Sequence, residues 1–281
     1  MYEAYYGLRE KPFTILPDPD LIYWGNMHRM AFTMLEFGVM NNAGFTVITG
    51  AIGSGKTTLL RFLLKKLSAN VTMGLISNSP QGRQELLQWI LMAFNQPFDG
   101  DYPTLFKRLQ DFFYRQHAGR RRTILIIDEA QNLGLEALEH LRMLSNINAD
   151  KHQFLQLIIV GQPQLRDLLL DPQLHQFAQR ISADFHLEPL SESEVANYIA
   201  FRLKAAGAKR IMFTLDAAAR IAQASGGTPR MINILCDTAL VYGFANDQQT
   251  ISSDLVNEVI ADKQQYSILP LQPAPKLGKR L

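Results

Sequence analysis

The sequence predicts an αβα sandwich built on a five-stranded parallel sheet, followed by a small all-helical domain. Short apolar runs alternate with helical patterns up to about residue 190, which is typical of parallel strands joined by right-handed crossovers. A glycine-rich loop separates the first of these runs from the helical pattern that follows it. Beyond residue 190 only helical patterns remain. Together these observations predict an α/β fold with a helical lid.

Each predicted strand is a short apolar run bounded by polar or turn-forming residues. The third ends in Asp128-Glu129, and its uninterrupted apolar character is typical of a strand that is buried on both faces. The five strands are expected at Phe45–Thr49, Val71–Ser77, Thr123–Ile127, Phe154–Val160 and Asp184–Leu187. The helices of this part are expected at His28–Val39, Thr57–Leu67, Arg83–Phe94, Leu105–Gln116, Leu135–Ile147, Gln164–Leu170 and Leu174–Gln179.

The loop after the first strand has the pattern G-x-x-x-x-G-K-T, which is typical of a phosphate-binding loop. Its glycines permit backbone angles that let several N–H groups converge on an anion, and the following helix adds its positive end. Lys56 is expected to reach the β- and γ-phosphates of ATP, and the Thr57 hydroxyl to bind Mg²⁺. The predicted nucleotide-binding residues are Gly50, Ala51, Ile52, Gly53, Ser54, Gly55, Lys56, Thr57 and Thr58.

Polar side chains follow the third and fourth strands, at the sheet edge where open α/β sheets bind ligands. Asp128 is expected to help hold Mg²⁺, and Glu129 to orient and deprotonate the water that attacks the γ-phosphate. Gln162, just after the fourth strand, is a candidate to hydrogen-bond that water or the γ-phosphate; the alternative is a turn residue. These residues predict a bound nucleotide and Mg²⁺ and leave the base open; the resemblance described below implies ATP as the cofactor.

Four parts are expected along the chain: an arm at 1–25, a nucleotide-binding domain at 26–190, a helical lid at 191–262 and a basic, disordered tail at 263–281. The arm is rich in aromatic residues and proline, so it cannot be one regular helix. We expect it to wrap over the main domain, with its aromatics covering an adenine ring or packing on the core. The lid helices are expected at 191–206, opened by a capping box, and at 216–225, 229–245 and 253–262.

The amino-acid composition says more about the compartment in which the protein works than about its function. The net charge is +2, which neither requires nor excludes a nucleic acid or an anionic membrane as a partner. Cys236 is the single cysteine, so no internal disulfide can form, as expected in a reducing compartment. The first residues lack the features of a signal peptide, and no apolar run approaches the roughly 18 to 20 residues of a membrane span. We expect a cytoplasmic protein with no membrane span of its own; if it works at the inner membrane, it reaches it through a partner or a weak surface contact.

These motifs in combination resemble the AAA+ ATPases, and more narrowly the ExeA / general secretion pathway protein A family. The resemblance implies two further site residues. Arg230, at the start of a lid helix, resembles the sensor arginine that contacts the γ-phosphate, and Arg180 resembles the arginine finger that one subunit inserts into the site of its neighbour. The alternatives are a plain lid charge for Arg230 and a surface salt bridge for Arg180. The matching stretches are 5–13, 18–20, 128–131, 161–165 and 226–233.

The resemblance implies an ATPase that hydrolyses ATP between the subunits of a ring or filament. Its work would be to drive or gate assembly of a secretion, envelope or polysaccharide-export system, with proteins of that system as partners. The alternative is a DNA-binding regulator resembling the transposition ATPases, with Arg120–Arg122 and the basic tail as the DNA contacts. A third hypothesis, a nucleotide-gated scaffold with negligible turnover, is disfavoured because Lys56, Asp128 and Glu129 are all present.

Overall fold

The computed structural model of the protein describes residues 1–67, 70–77, 80, 82–147 and 154–266. Contacts divide these residues into two compact units, each with its own buried apolar core. The sheet unit comprises His28–Ala51 and Leu59–Leu187. The helical unit comprises Met1–Met27, Ile52–Thr58 and the described residues from Glu188 onward.

Five parallel strands form the sheet unit's central layer. They are β1 (Phe45–Gly50), β2 (Val71–Ile76), β3 (Arg122–Ile127), β4 (Gln156–Gly161) and β5 (Ile181–Leu187). Their order in the sheet is β2-β3-β4-β1-β5, and every neighbouring pair is parallel. With helices flanking this sheet, and helices as the sole regular elements between it and Tyr266, the predicted fold class is confirmed.

The three central strands are buried along nearly their whole length, whereas the edge strands β2 and β5 are only partly covered. This difference explains where the strand prediction was least accurate. β5 begins at Ile181 rather than near Asp184, since polar residues alternate with apolar ones along a half-exposed edge and weaken the apolar signal.

Most helices begin and end close to the predicted residues. The helices are α1 (Glu3–Tyr6), α2 (Asn26–Met40), α3 (Lys56–Lys66), α4 (Arg83–Ala93), α5 (Tyr102–Ala118), α6 (Leu135–Leu144), α7 (Pro163–Leu169), α8 (His175–Ala178), α9 (Glu192–Ala205), α10 (Leu215–Ser225), α11 (Pro229–Ala245) and α12 (Ser253–Tyr266). The largest differences are that α12 ends four residues late, α6 ends three residues early and α5 begins three residues early. The Asp101 carboxylate accepts a hydrogen bond from the Thr104 N–H at 3.1 Å, and Pro103 suits the first helical turn.

Helices α9 to α12 and the arm share the core of the helical unit. The predicted capping box opens α9, where Ser191 and Glu194 exchange side chain to backbone hydrogen bonds of 3.1 and 3.4 Å. The predicted disordered tail is wrong for its first four residues, because α12 continues to Tyr266. The rest of the tail lies outside the described residues. No helix in the described part of the chain is both long and apolar enough to cross a membrane.

The arm packs on the helical unit, whereas the sequence analysis expected it on the main domain. Its side chains Tyr2, Tyr6, Leu8 and Phe13 are buried in the same core as the apolar residues of α9 to α12. The Tyr6 hydroxyl donates to the Leu240 carbonyl oxygen at 3.2 Å. These aromatic residues therefore pack on a core, and that core belongs to the helical unit.

A buried arginine binds the middle of the arm. Arg202 on α9 is only 6% exposed, and its Nε donates to the Pro12 carbonyl oxygen at 2.7 Å. Its Nη2 donates to the Thr14 hydroxyl at 3.3 Å, and Asn233 on α11 donates its amide to the Thr14 carbonyl oxygen at 2.9 Å. One guanidinium and one amide thus replace the water that these arm groups would otherwise bind.

We expect Arg202→Met to release the arm, because the substitution removes charged donors and leaves buried acceptors without partners. The expected cost is about 1–3 kcal/mol of unfolding free energy. Hydrogen exchange of residues 8–14 would measure the release, with Lys204→Met on the exposed face of the same helix as the control. Equal protection of the arm in both variants would show that Arg202 does not hold it.

Candidate functional site

The glycine-rich loop lies where the motif requires it. β1 ends at Gly50 and α3 begins at Lys56, so Thr57 and Thr58 occupy the first turn of that helix. Gly53 and Gly55 have φ angles of +77° and +101°, a region that side chains disfavour. The structure therefore confirms the strand–loop–helix arrangement that a phosphate loop needs, and the binding roles of its residues remain a prediction.

The charge of the loop fits an anionic ligand. The Lys56 side chain is only 6% exposed, and it begins a helix whose amino end carries a partial positive charge. A lysine at the positive end of a helix favours a negatively charged ligand such as phosphate. The Thr57 hydroxyl adds a neutral oxygen ligand of the kind Mg²⁺ accepts.

The backbone of Arg230 is in close contact with the glycine-rich loop. It is the second residue of α11, and its N–H donates to the Gly53 carbonyl oxygen at 3.2 Å. A Cβ atom added to Gly53 would lie 2.4 Å from the Cβ of Arg230, closer than any real contact. The structure thus brings the predicted sensor arginine to the loop, and the missing side chain of Gly53 makes the approach possible.

We expect Gly53→Ala to weaken nucleotide binding by about tenfold or more, because it adds strain at positive φ and pushes α11 away from the loop. Gly134→Ala is the matched control, since its added Cβ would meet nothing within 4 Å. Titration with a fluorescent ATP analogue would compare the two. Similar affinities for both variants would show that the contact with Arg230 is not needed for binding.

The acidic pair ends β3 at the carboxyl edge of the sheet, the edge at which β1 ends in Gly50. The Asp128 N–H donates to the Ile76 carbonyl oxygen at 2.8 Å, which extends the pairing of β2 and β3 by one residue. The Asp128 side chain is 8% exposed, and one of its oxygens accepts from the Glu129 N–H at 2.9 Å. Asp128 is therefore held in one orientation at the end of the strand.

Glu129 and Gln162 contact each other directly. The Gln162 Nε2 donates to the Glu129 Oε2 at 3.0 Å, and the Gln131 Nε2 donates to the same oxygen at 2.7 Å. Sequence reasoning named Gln131 only as part of the stretch 128–131 and assigned it no role. The sequence signal that could have identified Gln131 is its side-chain amide, only two residues after Glu129.

Arg180 is held within its own chain by the carboxyl end of α6. Its guanidinium donates to the Arg142 carbonyl oxygen at 3.3 Å and also to the Ser145 hydroxyl and the Asn146 side-chain oxygen. A cation is favourable at this end of a helix. The structure brings Arg180 to α6, and none of its contacts among the described residues is to Glu129 or Gln162.

The arginine run Arg120–Arg122 is divided between surface and packing. Arg120 and Arg121 are exposed, whereas Arg122 donates to the Val39 carbonyl oxygen and to the Gln156 Oε1, the latter at 2.9 Å. Partial burial lowers the pKa of the Arg122 guanidinium. Two of the three predicted DNA contacts of this run therefore face solvent, and the third ties β3 to α2 and β4.

Comparison with known proteins shows which sequences and folds this chain resembles. Residues 39–169 match the family model described as an AAA domain. The fold resembles the Cdc6p structure from Pyrobaculum aerophilum, with a TM-score of 0.65 at 17% identity over 86% of this chain and 70% of that one. It also resembles the RuvB Holliday junction branch migration motor of Thermotoga maritima, with a TM-score of 0.56 at 18% identity over 92% and 76% of the two chains. This chain is therefore similar to AAA-domain proteins in sequence over residues 39–169, and similar in fold to these two structures.

Another protein has a higher sequence identity to this chain than either of these two structures. The chain is 39% identical over 253 residues to General secretion pathway protein A of Aeromonas hydrophila, which covers 89% of this chain and 46% of that protein. The chain therefore resembles General secretion pathway protein A, as the sequence motifs predicted. The chain spans less than half the length of this relative.

Proposed function

We propose that this protein hydrolyses ATP with Mg²⁺ and uses the cycle to drive or gate assembly of a secretion or envelope system. The observation that carries the proposal is the loop between β1 and α3, in which two glycines at positive φ precede a buried lysine at a helix start. We assign 26–190 to nucleotide binding and 191–262 to a lid. The identity with General secretion pathway protein A supports the secretion setting.

Each predicted site residue has a distinct part in this proposal. The loop N–H groups and Lys56 bind the phosphates, and the Thr57 hydroxyl and Asp128 carboxylate hold Mg²⁺. When bound, Mg²⁺ neutralises charge that develops on the phosphate oxygens. The Glu129 carboxylate takes the proton of the attacking water, and Gln162 and Arg230 orient groups around it. The presence of both a phosphate loop and a base separates this proposal from a scaffold that only binds nucleotide.

We further propose that the working form is a homo-oligomer in which Arg180 of one chain completes the site of the next. This assignment rests on the resemblance to AAA+ ATPases, and the contacts of Arg180 with the end of α6 would hold its guanidinium in a fixed orientation.

We propose a cytoplasmic location with contact to the inner membrane through partners. The DNA-binding alternative is not favoured, since Arg122 is used in packing.

We expect Lys56→Ala to lower ATP affinity by about 10-fold to 100-fold, because it removes the one side-chain cation of the loop. Calorimetric titration with ATP and Mg²⁺ measures the change. Lys65→Ala, an exposed lysine on the same helix, is the control and should bind like the unsubstituted protein. Ordinary ATP affinity in Lys56→Ala would remove the loop from the proposed function.

A further inference from the structure

We propose that Gln131 is a positioning residue for Glu129: it holds the carboxylate of the base in one orientation and links it to the end of β4. This inference rests on the proposed function, since it concerns how Glu129 performs its part in hydrolysis. It assigns a role to a residue that carries no charge and that we do not expect to touch the nucleotide.

Both ends of the Gln131 amide are used. Its Nε2 donates to the Glu129 Oε2 at 2.7 Å, and its Oε1 accepts from the backbone N–H of Gln162 at 2.9 Å. Because Gln162 also donates its own Nε2 to the same Glu129 oxygen, three residues form a closed ring of hydrogen bonds. Two amide donors on one oxygen fix the rotation of a side chain that would otherwise sample several orientations.

The backbone on both sides of this ring is shaped to permit it. Glu129 has a φ of +54°, a left-handed conformation that costs a side-chain residue energy and persists only where its surroundings enforce it. A short 3₁₀ turn, Ala130–Asn132, follows it and carries Gln131 back towards β4. At the end of β4, a Cβ added to Gly161 would lie 2.9 Å from the Gln131 Oε1. The same Cβ would lie 2.7 Å from the Leu165 Cδ2, so Gly161 leaves space for Leu165 as well as for the Gln131 amide.

A fixed carboxylate matters because proton transfer requires a short and aligned contact with the water. A base that rotates freely spends part of its time in orientations that cannot accept the proton. We therefore expect Gln131 to affect the turnover number, with little effect on the ATP concentration needed for half-maximal rate.

The competing explanation is that Gln131 only ties the end of β4 to the turn after β3. Gln131→Glu separates the two roles. It keeps a side-chain oxygen that can accept from the Gln162 N–H, but it loses the donor to Glu129 and places a second negative charge beside it. Gln131→Ala removes both hydrogen bonds and serves as the comparison.

The test is the rate of ATP hydrolysis as a function of ATP concentration, with Mg²⁺, for the unsubstituted protein, Gln131→Glu, Gln131→Ala and Glu129→Gln. We expect kcat to fall about tenfold or more in both Gln131 variants, with KM little changed. Thermal unfolding should show that both Gln131 variants remain folded at the assay temperature. In a Glu129→Gln background, Gln131→Glu should lower the residual single-turnover rate no further.

The outcomes separate the two proposals. Turnover in the unsubstituted protein that is lost in Glu129→Gln but kept in Gln131→Glu would overturn the positioning role alone. A loss of the same factor in both backgrounds would also overturn it, since Gln131 would then not act through Glu129. Absence of turnover in the unsubstituted protein, assembled with Mg²⁺ and ATP, would overturn the proposed function and this inference together.

Discussion

Glu129→Gln is expected to bind ATP with nearly unchanged affinity and to lower its hydrolysis by about 10²-fold to 10⁴-fold. The amide has the size of the carboxylate but cannot accept the proton of the attacking water. The phosphate loop lies elsewhere in the chain, so its contacts with the nucleotide should persist. Binding by titration and turnover by phosphate release would be measured on the same preparation.

Glu136→Gln is the matched control for this prediction. Glu136 is an exposed glutamate of α6 whose carboxylate pairs with Arg83 at 3.0 Å. An exposed ion pair contributes little to stability, so this variant should hydrolyse ATP at the unsubstituted rate. If Glu129→Gln hydrolyses ATP as fast as Glu136→Gln, then Glu129 is not the base. Asp128 or solvent water would then have to accept the proton of the attacking water.

Arg180→Ala should reduce turnover by about 10³-fold if its guanidinium completes the site of a neighbouring chain. Arg166→Ala, an exposed arginine of α7, is the control that should leave turnover unchanged. The decisive form of the experiment is a mixture. A site that joins Glu129 from an Arg180→Ala chain with Arg180 from a Glu129→Gln chain is intact, so two inactive variants should regain part of the activity when mixed.

A second mixture checks the logic of this complementation. Lys56 and Glu129 belong to the same half of the proposed site, so Lys56→Ala mixed with Glu129→Gln contains no intact site and should stay inactive. The structure also offers another role for Arg180, because its contacts with the Arg142 carbonyl oxygen and Ser145 tie β5 to α6. In that case Arg180→Ala would lower the unfolding temperature, and no mixture would restore activity.

The parts of the fold that were predicted correctly depend on short-range patterns. β3 is a continuous apolar run that ends in two acids, and the phosphate loop has fixed spacing between β1 and α3, so a single stretch of sequence contains each signal. The same holds for the capping box before α9. Each of these features is determined by residues within a few positions of one another.

The features that were missed depend on partners far away in the chain. The aromatic residues of the arm predict burial, but they do not specify which core covers them. Arg122 looked like a surface cation because its acceptors, on α2 and β4, cannot be inferred from its neighbours. Gln131 meets a glutamine 31 positions later, at a place that only the parallel order of β3 and β4 defines. Tertiary contacts of this kind have no local signature.

The central claim is that ATP is hydrolysed at a site that two copies of this chain complete. The most direct test is the ATP turnover per chain measured over a wide range of protein concentrations, with the mass of the assembly followed by light scattering. We predict that turnover per chain is low for the monomer and rises in parallel with assembly. A turnover per chain that is constant from the monomer to the highest concentration would contradict this claim.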